Sequence, residues 1–200
     1  SVDLLKGEVA DLPDEGSLAP DSYEVRVGDT RGEVIARMEA AQEVLVAAAW
    51  ENRAEDVPLK SAEELLVLAS IIEKETGVAE ERRQVASVFT NRLNEGMKLQ
   101  TDPTVIYGIT KGQGVLGRGL RQSELRKRTD WNTYVITGLP PTPIANPGRA
   151  SLEAAANPDS TDFIFFVADG SGGHAFAATL AEHNRNVAAW RKIEAERADQ

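Results

Sequence analysis

The run LASIIEKET, residues 68–76, ends an apolar stretch with two glutamates flanking a lysine, Glu73 and Glu75 around Lys74. Carboxyl groups at such a place can serve as proton donors or acceptors, so the first question is where each points. At 100° per residue, Leu65, Leu68, Ala69 and Thr76 cluster around the direction of Ile72, and Glu75 lies about 60° from it, inside the apolar arc. Glu73 lies about 100° away, at the border, and Lys74 about 200° away, toward water. A carboxylate on an apolar face is costly to keep charged, and the negative end of the helix adds to that cost, so both effects push the pKa of Glu75 up. A glutamate that stays protonated near neutral pH is suited to general acid work on a leaving oxygen. The same placement also suits a buried glutamate bonded to a loop backbone or paired with Arg82, Arg83 or Arg92 of the next helix. A second carboxylate, Asp102 in QTDPT, would matter for hydrolysis. Its place before Pro103 favours a turn residue bonding its own backbone.

The elements that must hold these groups are read from periodicity. Val34, Ile35, Met38, Ala41, Leu45, Ala48 and Ala49 recur at helical spacing and predict a long amphipathic helix from Arg31 to about Glu55, its stripe in the core. Ser61 with Glu64 three residues on predicts a capping box that opens the helix carrying Glu75, and Gly77 predicts its stop. A further helix over 79–94 buries Val85, Val88, Phe89 and Leu93 and ends at Gly96. Residues 97–120 and 130–151 are rich in Gly, Pro, Asn and Thr and read as long loops whose aromatic and β-branched residues argue against disorder. A β-hairpin follows, with strands 163–168 and 174–178 about a Gly-rich turn, and then a terminal helix from Leu180. The first 30 residues read as an N-terminal arm with a short extended piece at 23–27. The division expected is an arm or remnant of a preceding region over 1–30 and one catalytic domain over 31–200.

Composition narrows the function classes. A chain of 200 residues, 42% hydrophobic, is long enough for one core, and a net charge of −10 speaks against nucleic-acid binding. The one dense basic run, LRKR at 125–128, reads as a solvated face. The absence of cysteine excludes a disulfide scaffold. His174 and His183, even with Asp169, are too few for a metal set, so no metal and no cofactor are expected. No stretch is apolar enough to span a membrane, and the chain opens SVDLL without an initiator methionine, so an anchoring segment outside it is expected.

The strings ASIIEKETGVAEERRQVASVFTNRL, GMKLQTDPTVIYG, NTYVITGLPPTPIANPG and FFVADGSGGHAFAATLAEHN resemble, in order, the MltG-type (YceG-like) endolytic murein transglycosylases of bacteria. The likeness runs from about residue 15 through the terminal helix. It implies a lysozyme-like α+β fold with a helical core, long groove-forming loops and a C-terminal β-hairpin plus helix. It implies an enzyme of the cell envelope, held by one N-terminal transmembrane helix with its catalytic domain on the periplasmic side. The reaction implied cuts the β-1,4 bond between N-acetylmuramic acid and N-acetylglucosamine of nascent peptidoglycan strands. The muramyl C6 hydroxyl attacks C1 and leaves a 1,6-anhydro end.

The family's catalytic glutamate falls on Glu75. Its motifs also mark Asn132, Tyr134, Thr137 and Asn146; Gln100, Thr101, Asp102, Thr104 and Tyr107 are expected substrate contacts because sugar sites combine hydrogen-bonding side chains with an apolar ring face, and His174 is expected to hydrogen-bond at the hairpin near the substrate. The family's biology implies partners among penicillin-binding synthases and the elongation or division machinery. The chain departs from the commoner wording at Ala175, Ala177 and Trp131, which puts substrate contacts from the hairpin in doubt. Two other functions compete. One is a hydrolytic muramidase using Asp102, and the other is a peptidoglycan-binding or divisome-interaction module without activity.

Overall fold

A computed structural model describes Gly7 and residues 12–198 of the chain. Its elements are α1 (Arg31–Glu51), α2 (Ala62–Glu75), a 3-10 turn (Ala79–Glu81), α3 (Arg82–Asn94), α4 (Asp102–Thr110), α5 (Gln122–Arg126), α6 (Arg149–Ala156), β1 (Phe165–Ala168), β2 (His174–Ala177) and α7 (Leu180–Ala198). Helices around one small sheet make the fold α+β.

Helix α2 is the central rod. Leu65, Leu68, Ala69, Ile71 and Ile72 are fully buried, and each Leu or Ile so placed contributes about 1.5–3 kcal/mol. Leu152, Ala154, Ala155 and Ala156 of α6, with Val85, Ala86 and Phe89 of α3, close around it. Ser61 opens the rod by accepting from Glu64 N. The return arm of the expected capping box lands one residue early, because Glu64 Oε2 accepts from Lys60 N at 2.7 Å. At the other end Gly77 is not the stop. Thr76 turns extended (φ −137°, ψ 135°) and its Oγ1 accepts from Val78 N, a conformation natural to a β-branched residue.

Helix α1 ends at Glu51, four residues before the expected boundary, where Asn52 Nδ2 caps Ala48 O. A capping box of Thr30 and Glu33 opens it. Of its predicted core stripe, Ala49 alone is buried, Ala48 is exposed and the rest are half-buried. The other deeply buried residue is polar. Gln42 Nε2 donates to Gly16 O and Pro147 O, both at 3.0 Å, and so ties the N-terminal arm and the loop before α6 to one side chain. Leu18 N donates to Asn146 Oδ1 and Ala19 N to Met38 O, which fixes the same arm again. The extended piece expected at 23–27 pairs with nothing as a strand among the described residues.

Three short helices add to the expected elements: α4 lies inside the first expected loop, α5 between the two, and α6 begins at the end of the second. α4, α5 and α6 have nine, five and eight residues, too short to display a period. Pro103 in the first turn of α4 is a helix starter there, not a breaker. Gly96 does end α3 as expected, at φ +66°, a left-handed conformation that favours glycine. The hairpin is antiparallel with Phe165 opposite Ala177 and Ala168 opposite His174, and α7 packs along it. Among the described residues no helix is long and apolar enough to cross a membrane.

Candidate active site

The last residue of α2 is Glu75, and it lies half-buried on the core side of the helix. Thr101, the residue before α4, donates from Oγ1 to Glu75 Oε2 at 2.7 Å. A chain of hydroxyls holds Thr101 in turn. Thr104 Oγ1 donates to Thr101 O at 2.7 Å, Thr133 Oγ1 lies 2.8 Å from Thr104 Oγ1, and Thr101 N donates to Thr133 Oγ1 at 3.1 Å. A threonine hydroxyl has one hydrogen, so with that of Thr104 on Thr101 O, Thr133 is the donor to Thr104. The chain holds Thr101 through its backbone N and O, and its own hydroxyl hydrogen goes to Glu75. Gln100 precedes this knot in a left-handed conformation, φ +51°, with its N–H on Thr133 O. A non-glycine residue held so costs about 1–3 kcal/mol, and such strain gathers at functional sites.

Burial pushes the Glu75 carboxyl above the ordinary glutamate range. Thr101 opposes this by its hydrogen bond, His174 and Arg92 oppose it by charge, and Asp102 reinforces it. Among the described residues no arginine forms a salt bridge with Glu75. Arg92 is buried with its donors on backbone, Nε to Ile164 O at 2.7 Å and Nη1 to Leu99 O at 2.6 Å. Arg83 pairs with Asp159. Glu73, two residues earlier, is bonded elsewhere: its Oε2 accepts from Gly148 N at 3.1 Å and Ser151 Oγ at 2.6 Å at the start of α6.

Asp102 is exposed as the first residue of α4, and its Oδ1 accepts from Tyr134 OH at 2.7 Å. The expected turn bonded to its own backbone gives way to a helix start and a side-chain partner. Burial first, and then Asp102, raise the Tyr134 hydroxyl well above the usual tyrosine range. An open groove of about 490 Å³ is lined by Lys74, Pro103, Tyr107 and Asn146 among others; Lys74 and Pro103 are the chain neighbours of Glu75 and Asp102, which are not themselves in its lining. Tyr107 leans on Trp131 with ring centroids 5.8 Å apart, and Lys111 Nζ sits 3.0 Å from the Trp131 centroid.

Several predicted substrate contacts fall out of the groove. Thr104 is wholly buried and acts within the hydroxyl chain. Asn132 is also buried, donating to the carbonyls of Glu124, Leu125 and Lys127 while accepting from Tyr134 N. Thr137 lies with Lys60, Glu63 and Val67 near the start of α2, about 12–18 Å along the helix from Glu75 at 1.5 Å per residue. Thr101, Asp102, Tyr134 and His174 do gather near Glu75, with Gln100 next to Thr101 in the chain, and Tyr107 and Asn146 line the groove. Sequence reasoning missed Thr133, whose neighbours Asn132 and Tyr134 were singled out instead, and Glu81, which has no signal beyond its charge. His174, His183 and Asp169 are engaged separately, with Glu81, with the face of Phe165 and with Ser171.

Residues 3–189 match the YceG-like family. The chain belongs to that family. It is 39% identical over 173 residues to an endolytic murein transglycosylase of Bacillus subtilis (strain 168), a match covering 86% of this chain and 47% of that protein. An endolytic murein transglycosylase of Streptococcus pneumoniae serotype 2 (strain D39) is 32% identical over 181 residues, 87% of this chain and 32% of the relative. The crystal structure of a yceG-like protein from Listeria monocytogenes superposes with a TM-score of 0.73 at 37% identity, over 85% of this chain and 54% of that one. The YceG-like chain described here therefore spans about half the length, or less, of the curated relatives it matches.

Proposed function

We propose that this chain is the catalytic part of an endolytic lytic transglycosylase of the bacterial envelope, cutting the MurNAc-β-1,4-GlcNAc bond of nascent peptidoglycan. The observation that carries the reading is the Glu75 carboxyl: held by Thr101 at the edge of the core and pushed toward its protonated form by burial. In this reading the Glu75 O–H bond breaks as its proton passes to the departing GlcNAc oxygen, and positive charge develops at the muramyl C1. The Glu75 carboxylate then takes the proton of the C6 hydroxyl while that oxygen closes on C1. One carboxyl completes the cycle, no water is consumed, and Asp102 is not required as a base.

The same reading makes the fold a lysozyme-like catalytic domain over about 31–200, with residues 1–30 as its arm and a single-pass anchor outside the described chain. Gln100, Asp102, Tyr107, Tyr134 and Asn146 are the side chains proposed to meet the glycan, and penicillin-binding synthases are the proposed neighbours. The test is mass analysis of glycan products. Internal cuts with 1,6-anhydromuramyl ends, one water lighter than hydrolytic ends, are expected. Reducing muramic ends as the main product would transfer the assignment to a muramidase assisted by Asp102, and uncut glycan would leave a binding module.

A further inference from the structure

The basic run at 125–128, expected to be a solvated face, is more firmly built than a charged loop needs to be. Asn132 is buried, and its Nδ2 donates to the carbonyls of Glu124, Leu125 and Lys127 at 3.2, 3.1 and 2.7 Å. With those carbonyls turned inward, the chain shows Arg126, Lys127 and Arg128 to solvent, and Arg121 is exposed at the start of α5. The carboxylate within this stretch, Glu124, is already taken. Its Oε2 accepts from Arg118 Nη1 at 2.8 Å and Arg121 N at 2.7 Å, and its Oε1 from Arg118 Nη2 at 2.5 Å. Among the described residues no carboxylate pairs with Arg126, Lys127 or Arg128, and the next acid along the chain is Asp130. In a chain of net charge −10 this is a local excess of positive charge.

The pair of Arg118 and Glu124 also ties α5 to the glycine-rich loop ahead of it. Gly112, Gly114 and Gly117 lie at φ +74°, +121° and +69°, and the loop they shape carries Val115 at 93% exposure, the highest of the large apolar side chains among the described residues. Val115 stands three residues before Arg118, and Lys127 three residues after Glu124, so the apolar tip and the cations flank one ion pair. A lone exposed valine is ordinary, and so is a charged run. Side by side they match a surface that meets lipid headgroups, with cations for the phosphates and an apolar tip for the layer beneath. A soluble polyanion would engage the cations and leave Val115 in water. We propose that the loop carrying Val115 and the basic stretch 121–128 form a docking face for anionic phospholipid headgroups. Surface charges act over a Debye length of about 8 Å, so the acidic remainder of the chain is screened from this contact. Val115 and Arg118 also line the groove that holds Lys74, so docking sets that groove at the lipid surface. The inference goes beyond the proposed function and needs no cleavage by Glu75.

The test is co-sedimentation of the 200-residue chain with lipid vesicles. The chain should sediment with vesicles of phosphatidylglycerol mixed with phosphatidylcholine, stay in solution with phosphatidylcholine alone, and release as salt is raised. Each cation near an anionic surface is worth about fivefold in partition, so Lys127→Gln with Arg128→Gln should cut it roughly twentyfold. Arg191→Gln with Lys192→Gln, exposed on α7, changes the net charge equally and should leave partition within about twofold. Val115→Ser should weaken it about fivefold and keep its salt dependence. Equal sedimentation with both kinds of vesicle would overturn the docking face. Equal losses in the two charge pairs would overturn it as well, by assigning the attraction to net charge. Retention on a short DNA duplex as strong as on the vesicles, with Val115→Ser unchanged on both, would replace it with a general polyanion site. Failure of the chain to cut peptidoglycan would strike the proposed function and leave the vesicle result standing.

Discussion

Glu73 and Glu75 are two residues apart on α2 and hold on to different parts of the molecule: Glu73 accepts from Gly148 N and Ser151 Oγ at the head of α6, and Glu75 accepts from Thr101 before α4. Glu75→Gln should abolish glycan cleavage while leaving the fold intact, since the amide keeps the shape and can neither give nor take the proton. Glu73→Ala should do the reverse. It should lose about 1–2 kcal/mol of stability, because a helix start is left uncapped, and keep most of its activity. Paired thermal unfolding and glycan digestion check both. Equal losses of activity would reject the division of labour.

Because burial raises the Glu75 carboxyl above its ordinary value of 4.5, the neutral form is the one the folded state favours. Its contribution to stability is fully present below that ordinary value and is lost as pH rises through the folded pKa. Glu75→Gln removes the titration, so it should match the wild type at acid pH and be the more stable protein at neutral and alkaline pH. Cleavage by the wild type should fade over the same alkaline rise. The measurement is unfolding temperature against pH for the two proteins. A variant clearly less stable than wild type at neutral pH would make Glu75 a needed anion.

Thr101→Val keeps volume and deletes the one hydroxyl hydrogen directed at Glu75. A bond to a charged acceptor is worth about 1.5–3 kcal/mol, so kcat should fall roughly tenfold to a hundredfold, and the alkaline limb should move upward as the carboxylate loses its donor. An unshifted limb with lower activity would mean the bond only holds the loop.

Asp102→Asn separates the two bond-breaking chemistries. For a transglycosylase the loss should be modest, within about tenfold, and the ends should remain anhydro, because no second carboxylate takes part. Tyr134→Phe, which frees Asp102 Oδ1, should behave alike. Collapse of activity in Asp102→Asn with hydrolytic ends in the wild type would favour water as the nucleophile.

The parts of this architecture that were legible in the sequence are those with a period or a cap. The spacing of Leu65, Leu68, Ala69 and Ile72 defined the buried face of α2 and put Glu75 on it, and all four are fully buried. Gly96 and the hairpin followed from local chemistry in the same way. What stayed hidden was tertiary. α4, α5 and α6 span too few turns to show a stripe, and the hydroxyl chain of Thr101, Thr104 and Thr133 joins residues about 30 positions apart whose types are ordinary loop types. Asn132 illustrates the converse: a polar residue in a motif reads as a ligand contact until its amide is seen serving three carbonyls of its own chain. Gln42 shows the same ambiguity inside a helix, where its neighbours' apolar stripe is half in water and the amide is what is buried.

Arg92 fastens the carbonyl of Leu99, just ahead of the threonine knot, to the carbonyl of Ile164, just ahead of the hairpin. These two segments are therefore cross-braced through one guanidinium, and neither can move away alone without stranding a buried cation. Any displacement of one segment has to carry the other with it, so the loop before α4 and the approach to the hairpin move as one piece.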